Sequence, residues 1–186
     1  MAEVYVAIGS NIAPDRNIPL AVRKLAARFP LTGSSAFYRS RAVGIPQAPD
    51  FINGMVRLTV KIPPREFKFK VLRKIERSLG RRRTRDKNAP RTIDLDLVLY
   101  GRRVIRSRSL TLPDPALLDR DFLYVPLLDI DARLVLPGSG KSLARLVGTH
   151  ARPRLKKRVR LSAAIKRLIQ TIVIGIGRGH SRKGNS

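Results

Sequence analysis

Pro90-Arg91-Thr92-Ile93-Asp94-Leu95-Asp96-Leu97-Val98-Leu99 is the stretch that decides how this chain reads. Apolar residues alternate with two aspartates, the period of a β-strand. Side chains at i and i+2 of a strand share a face. Asp94 and Asp96 therefore project together, while Ile93, Leu95 and Leu97 turn toward a core. Two hard oxygen donors on one face suit Mg²⁺, which takes one or two carboxylates and leaves its other positions to water and phosphate oxygens. Just upstream, Gly80-Arg81-Arg82-Arg83-Thr84-Arg85-Asp86-Lys87 supplies cations fitted to a polyphosphate. An Asp-x-Asp pair or an arginine loop by itself is more often a solvated face. Their adjacency points to a Mg-nucleotide site, because metal ligands and cationic clamps must lie within a few ångströms of each other.

Outward from this segment the chain alternates strands and helices. Val4 to Ile8 reads as a strand ending at Gly9-Ser10-Asn11. Asn17 to Phe29 has helical spacing, with Ile18, Val22, Leu25 and Phe29 on one side and Arg23, Lys24 and Arg28 on the other. Gly33 to Arg39 is expected as a second strand, Ser40 to Asp50 as a loop, and Phe51 to Ile62 as a third strand. Pro63-Pro64 opens a helix with Phe67, Val71, Leu72, Ile75 and Leu79 on one stripe, ended by Gly80. After the strand at 92–100, Gly101-Arg102-Arg103 leads to Val104-Ile105. Phe122 to Leu128 fits a short helix or a buried segment. This order predicts an α+β domain with a mainly antiparallel sheet.

The chain has 186 residues, 43% of them hydrophobic, enough for one domain with a real core. It has no cysteine, which excludes disulfides and thiolate metal sites. No uninterrupted apolar run approaches the roughly 18 residues of a membrane span, and Met1 to Val6 lacks the order of a secretion signal. A cytoplasmic setting is the expectation. Lys and Arg number 39 against 13 acids, a net charge of +26. Every acid lies at or before Asp131, and residues 151–186 hold 11 basic residues and no acid. Two regions are expected: a domain over 1–150, and a basic, partly amphipathic extension over 151–186. In the extension, Leu161, Ile165, Leu168, Ile169 and Ile172 form a helical stripe that could pack on the domain, lie on a membrane surface or bind an acidic partner.

Several short motifs occur together in a fixed order: Gly9-Ser10-Asn11, Phe51-Ile52-Asn53, Leu79 to Arg83, Ala89 to Asp96, Phe122 to Pro126 and Leu134 to Pro137. Over about 1–148 the chain resembles the 6-hydroxymethyl-7,8-dihydropterin pyrophosphokinases of folate biosynthesis. The resemblance implies a ferredoxin-like sandwich that moves the β,γ-pyrophosphoryl group of ATP to the pterin's hydroxymethyl oxygen and releases AMP. It implies that Asp94 and Asp96 hold two Mg²⁺ ions, with Arg81 and Arg91 catalytic. Arg81, Arg83, Arg91, Thr111, Asp114 and Arg120 would line the ATP site. Ser40, Val43, Phe51, Asn53 and Phe122 would line the pterin site, the two phenylalanines sandwiching the ring. Glu76 is a further candidate near the site. The expected assembly is a monomer.

This chain departs from the family pattern at two places. Asp114 stands between Pro113 and Pro115 where the family usually carries a histidine, so an acceptor replaces a donor to phosphate. Asn88-Ala89 stands where many members have an aromatic residue and a glycine before Pro-Arg. A reading from another class is a nucleic-acid-binding protein on a lapsed enzyme fold, supported by the charge of +26. Against it stand the few aromatics available for base stacking and the lack of a reading motif. A nonspecific polyanion contact through the tail is compatible with either. Gly138 to Ser142 looks like the end of a phosphate-binding loop, but Val135 occupies the position where that loop needs its first glycine.

Overall fold

A computed structural model describes residues 1–41, 49–82, 89–148 and 155–180, with side chains described up to 173. Among the described residues there are eight strands: β1 (Ala2–Ser10), β2 (Leu31–Ser34), β3 (Tyr38–Ser40), β4 (Phe51–Val60), β5 (Asp94–Tyr100), β6 (Ile105–Arg106), β7 (Thr111–Leu112) and β8 (Lys156–Lys157). Helix α1 (Pro14–Ala26) follows β1. Helix α2 runs through Pro64–Glu66, a π-type turn at Phe67–Leu72, and Arg73–Ser78. Three more follow: α3 (Asp121–Ile130), α4 (Leu143–Val147) and α5 (Val159–His180).

β1 lies inside the sheet because both of its edges are used, pairing antiparallel with β4 and with β5. β4 is long enough to serve β2 with its second half and β3 with its first residues. The sheet order is β5-β1-β4-β3-β8, with β2 also on β4. With β2 and β3 taken as one interrupted strand, β1-α1-β2/β3-β4-α2-β5 is the split βαβ arrangement of a ferredoxin-like sandwich. The expected α+β class with a mainly antiparallel sheet is therefore present.

The expected strand over Gly33–Arg39 is broken, and the cause is side-chain competition for backbone groups. Ser35 Oγ accepts from Met55 N at 2.8 Å and donates to the Ala36 carbonyl at 2.6 Å. Phe37 N donates to Ser162 Oγ at 2.9 Å. These bonds satisfy the backbone without a continuous ladder.

Alternation along the strands builds two cores. On one face Val4, Val6, Ile8, Leu95 and Leu97 meet Ile18, Val22 and Leu25 of α1 and Phe67, Leu72 and Ile75 of α2. Leu161 and Ile165 of α5 are buried in the same core, with Leu168, Ile169 and Ile172 packed against it. The helical stripe of the basic extension is thus spent on the domain, which removes the surface a membrane would have needed. No helix among the described residues is long and apolar enough to cross a membrane. On the other face Tyr5, Met55 and Leu99 meet Leu123 and Leu127 of α3 and Leu143 and Val147 of α4. A bulge opposite Tyr5 and Val6 inserts Val98 into this second core. Residues 137–139 form a turn, with Gly138 at φ +83° and the following Gly140 at φ +65°, so the look-alike phosphate loop is absent.

Candidate active site

The polar end of the second face carries the candidate residues, and strand register brings them together. Asp94 lies opposite Gly9 of β1, and Gly9 lies opposite Asn53 of β4. Asn53 in turn lies opposite Tyr38 of β3. Strands are about 4.8 Å apart, so the backbones of Asp94 and Asn53 are separated by about 10 Å across Gly9. A side chain at Gly9 would block this row: its Cβ would lie 2.6 Å from Asn53 Oδ1.

Asp94 accepts from Arg91 Nη1 through one oxygen, and its other oxygen is 3.6 Å from Arg81 Nη2. The Arg81 side chain is only 10% exposed, so this charge is held inside the site and not on a solvated loop. Asp96 points to the same face and keeps an exposed edge. Crowding by the surrounding protein, then the negative charges of Asp94, Asp114 and Glu76, push its carboxyl up to about 7, with Lys68 acting against them. Because the side chain still touches solvent, the neighbouring carboxylates are the more telling cause. A divalent cation would relieve that repulsion, so the donor set fits one. Among the described residues no three acidic or histidine groups are close enough to cage a metal unaided. Two carboxylates completed by phosphate and water is the pattern Mg²⁺ favours over a protein-only cage.

The segment that carries Arg91 is held by the end of β1. Arg91 N donates to Asn11 Oδ1 at 2.6 Å, and Asn11 N and Ile12 N donate back to the Arg91 carbonyl, each at 3.2 Å. Ser10 Oγ donates to the Thr92 carbonyl at 2.7 Å. Behind the aspartates, buried Glu76 accepts from Leu95 N at 3.0 Å. This matters because β5 is an edge strand, and Leu95 is the residue between the two carboxylates. Glu76, a further candidate in the sequence, is thus an anchor for β5. Ser10 and Asn11 belong to a short sequence motif, but a neutral Ser-Asn pair gives no local signal of an 80-residue contact.

At the other end, Asn53 Nδ2 donates to Ser40 Oγ at 2.7 Å, and Ser40 is buried. Phe51 stands opposite Ser40 at the start of β4 and is half-buried. Phe122, in the first turn of α3, is half-buried against the second core. Arg120 caps that helix with its carbonyl, which accepts from Leu123 N and Tyr124 N, and its side chain is exposed. Thr111 is exposed on β7, opposite Arg106. Asp114 N donates to the Val98 carbonyl at 2.9 Å, and its Oδ1 accepts from Ala116 N at 2.9 Å. The aspartate therefore closes its own turn while lending charge to the Asp96 site. Val43, Arg83 and Asn88 lie outside the described residues.

Residues 5–132 match the model of the 7,8-dihydro-6-hydroxymethylpterin-pyrophosphokinase family. The chain belongs to this family. It is 43% identical over 145 residues to the 2-amino-4-hydroxy-6-hydroxymethyldihydropteridine pyrophosphokinase of Synechocystis, covering 76% of this chain and 73% of that protein. The enzyme of the same name from Haemophilus influenzae is 34% identical over 142 residues, 75% of this chain and 88% of its own length. The folic acid synthesis protein fol1 of Pneumocystis carinii is 38% identical over 143 residues, but the match spans only 19% of that protein. In this pyrophosphokinase frame the Asp94–Gly9–Asn53 row is one surface with a charged end and an amide end.

Proposed function

We propose that the chain transfers the pyrophosphoryl group of Mg-ATP to the hydroxymethyl oxygen of 6-hydroxymethyl-7,8-dihydropterin, releasing AMP, with the open sheet face as its active site. Family membership makes it an ATP-using pyrophosphokinase of folate biosynthesis. The assignment of roles rests on one observation above the others. Asp94 and the held Asn53 amide lie on one register row across Gly9, whose missing side chain makes room for that amide, and Asp96 projects from the same face two residues along β5.

Asp94 and Asp96 are the residues that would hold two Mg²⁺ ions, which when bound neutralise the ATP phosphates while the β-phosphorus is attacked. Arg91 and Arg81, now on Asp94, would shift their guanidinium forks to phosphate oxygens, with Arg83 and Arg120 adding charge. Thr111 and Asp114 would border the nucleotide. Asn53, oriented by Ser40, would present its amide to the polar edge of the pterin, and Phe51, Phe122 and Val43 would enclose the ring. No covalent nucleophile is required, because positioning and charge stabilisation supply the rate. All of these residues come from one chain, so a monomer would be sufficient for the reaction.

The test is AMP formation from ATP with and without the dihydropterin, and with and without Mg²⁺. AMP that needs both additions is the expected result. Folded protein that yields no pterin-dependent AMP would overturn the assignment. A second property is compatible with this one. With the α5 stripe buried, Lys156, Lys157, Arg160, Lys166 and Arg167 are left exposed, a cationic surface for nonspecific polyanion contact. Binding of a mixed-sequence RNA that weakens steeply with salt is the expected behaviour, and no binding at low salt would end that reading.

A further inference from the structure

Beyond the family match at residues 5–132, the chain continues into a segment that grips the sheet beside the pterin end. β8 pairs antiparallel with β3, Lys157 opposite Tyr38 and Lys156 opposite Arg39. Arg158 N donates to the Phe37 carbonyl at 2.7 Å, and Phe37 N donates to Ser162 Oγ at 2.9 Å. Both backbone groups of Phe37 are therefore satisfied by this one segment. Ser162 is buried, and its hydroxyl also donates to the Arg158 carbonyl at 2.7 Å, which fixes its orientation.

The segment is itself anchored at two points. The Arg158 guanidinium reaches both oxygens of Asp15 at 3.0 and 3.1 Å. Leu161 and Ile165 are buried in the core shared with α1. Phe37 is wholly buried with its ring against Gly54, where a Cβ would lie 2.5 Å from the ring. Three residues beyond Phe37 is Ser40, the acceptor for Asn53 Nδ2.

We propose that residues 155–173 act as a strap that positions β3, and through it the Ser40–Asn53 pair, so that Ser162 and β8 are positioning elements for the pterin subsite. This rests on the pterin reading of Asn53. Without the strap, β3 is a three-residue edge strand next to two orphaned backbone groups of a buried phenylalanine. The path from Ser162 to Asn53 runs through one short strand. The Asp94–Asp96 end lies on the far side of β1 and has no contact with the strap in this chain of bonds.

Steady-state kinetics of Ser162→Ala in the full chain test the idea, with Phe29→Ala, which packs on the same core outside the strap, as the control. Ser162→Ala is expected to raise KM for the dihydropterin about fivefold, the lower end of the penalty for one orphaned buried donor, with KM for ATP nearly unchanged. Phe29→Ala is expected to lower the melting temperature and leave both KM values alone. An unchanged pterin KM, or a parallel rise in both KM values, would overturn the proposal. Amide hydrogen exchange on the unaltered chain provides a second readout that needs no variant. The amides of Phe37 to Ser40 should open together with those of Ser162 to Ile165 as one unit. Protected β3 amides beside a freely exchanging strap would overturn the proposal. Absence of pterin-dependent AMP from the unaltered chain would count against the enzymatic reading, whereas exchange would still report on the strap.

Discussion

The two ends of the open sheet face are organised by different forces. At the Asp94–Asp96 end the geometry is set by charge: like carboxylates face the same way, Arg81 and Arg91 lean on one of them, and the Asp96 carboxyl is driven up to about 7. At the Asn53 end the bond that holds the amide itself is neutral. Neutral hydrogen bonds join an amide to a serine on the next strand, and that strand is held in turn by residues more than a hundred positions away. The first end is under electrostatic tension that a bound cation would relieve. The second is already satisfied and works by being rigid. Chemistry on phosphate calls for the former arrangement, and recognition of a flat heterocycle calls for the latter.

The strongest way to break this contrast is at the charged end. Asp94→Ala and Asp96→Ala should each lower pterin-dependent AMP formation by at least about a hundredfold while leaving the protein folded, because they remove stabilisation made in the transition state. Normal turnover in both variants would dissolve the distinction. At the other end, Gly9→Ala places a methyl 2.6 Å from Asn53 Oδ1 and should raise the pterin KM by about tenfold with a smaller change in KM for ATP, read by steady-state kinetics. A change confined to ATP would show that Gly9 serves the charged end instead.

Glu76 probes what lies behind the charged end. Glu76→Ala strips the acceptor from buried Leu95 N and should destabilise the fold by about 1–3 kcal/mol in urea unfolding. A stability equal to that of the unaltered chain would mean that the β5 edge needs no anchor there.

The smallest expected effect is a pH dependence specific to the charged end. In metal-free protein the folded Asp96 carboxyl titrates at about 7, above its ordinary value, so between the two the folded state binds a proton that the unfolded state does not. Stability should therefore rise slightly as pH falls from 8 toward 5.5 in a chelator. Asp96→Asn should flatten that slope. Thermal midpoints across this range check the sign, and a slope unaltered by the substitution would assign it to other groups.

The same contrast explains what could be read in the amino-acid sequence. The β5 alternation and the paired aspartates are legible because everything needed lies within a few residues, and Ile93, Leu95 and Leu97 are indeed buried on the opposite side. Arg91 could be placed beside them for the same reason, whereas Arg81, on the far side of the arginine loop, is singled out only by the family resemblance. The Ser40–Asn53 bond depends on the β3–β4 register, and the room for it depends on a glycine in a third strand. The break at Ser35 to Phe37 depends on Ser162, which is 125 residues further on. No local pattern encodes such partners. The stripe of α5 was legible as a stripe, but its partner was not, because packing and membrane attachment call for the same periodicity.

The most direct measurement follows the fate of ATP labelled at the β-phosphorus when unaltered chain, Mg²⁺ and 6-hydroxymethyl-7,8-dihydropterin are combined. The account predicts that label appears on the pterin in step with AMP, one for one. Label released as ADP or as free pyrophosphate, with the pterin unmodified, would contradict it.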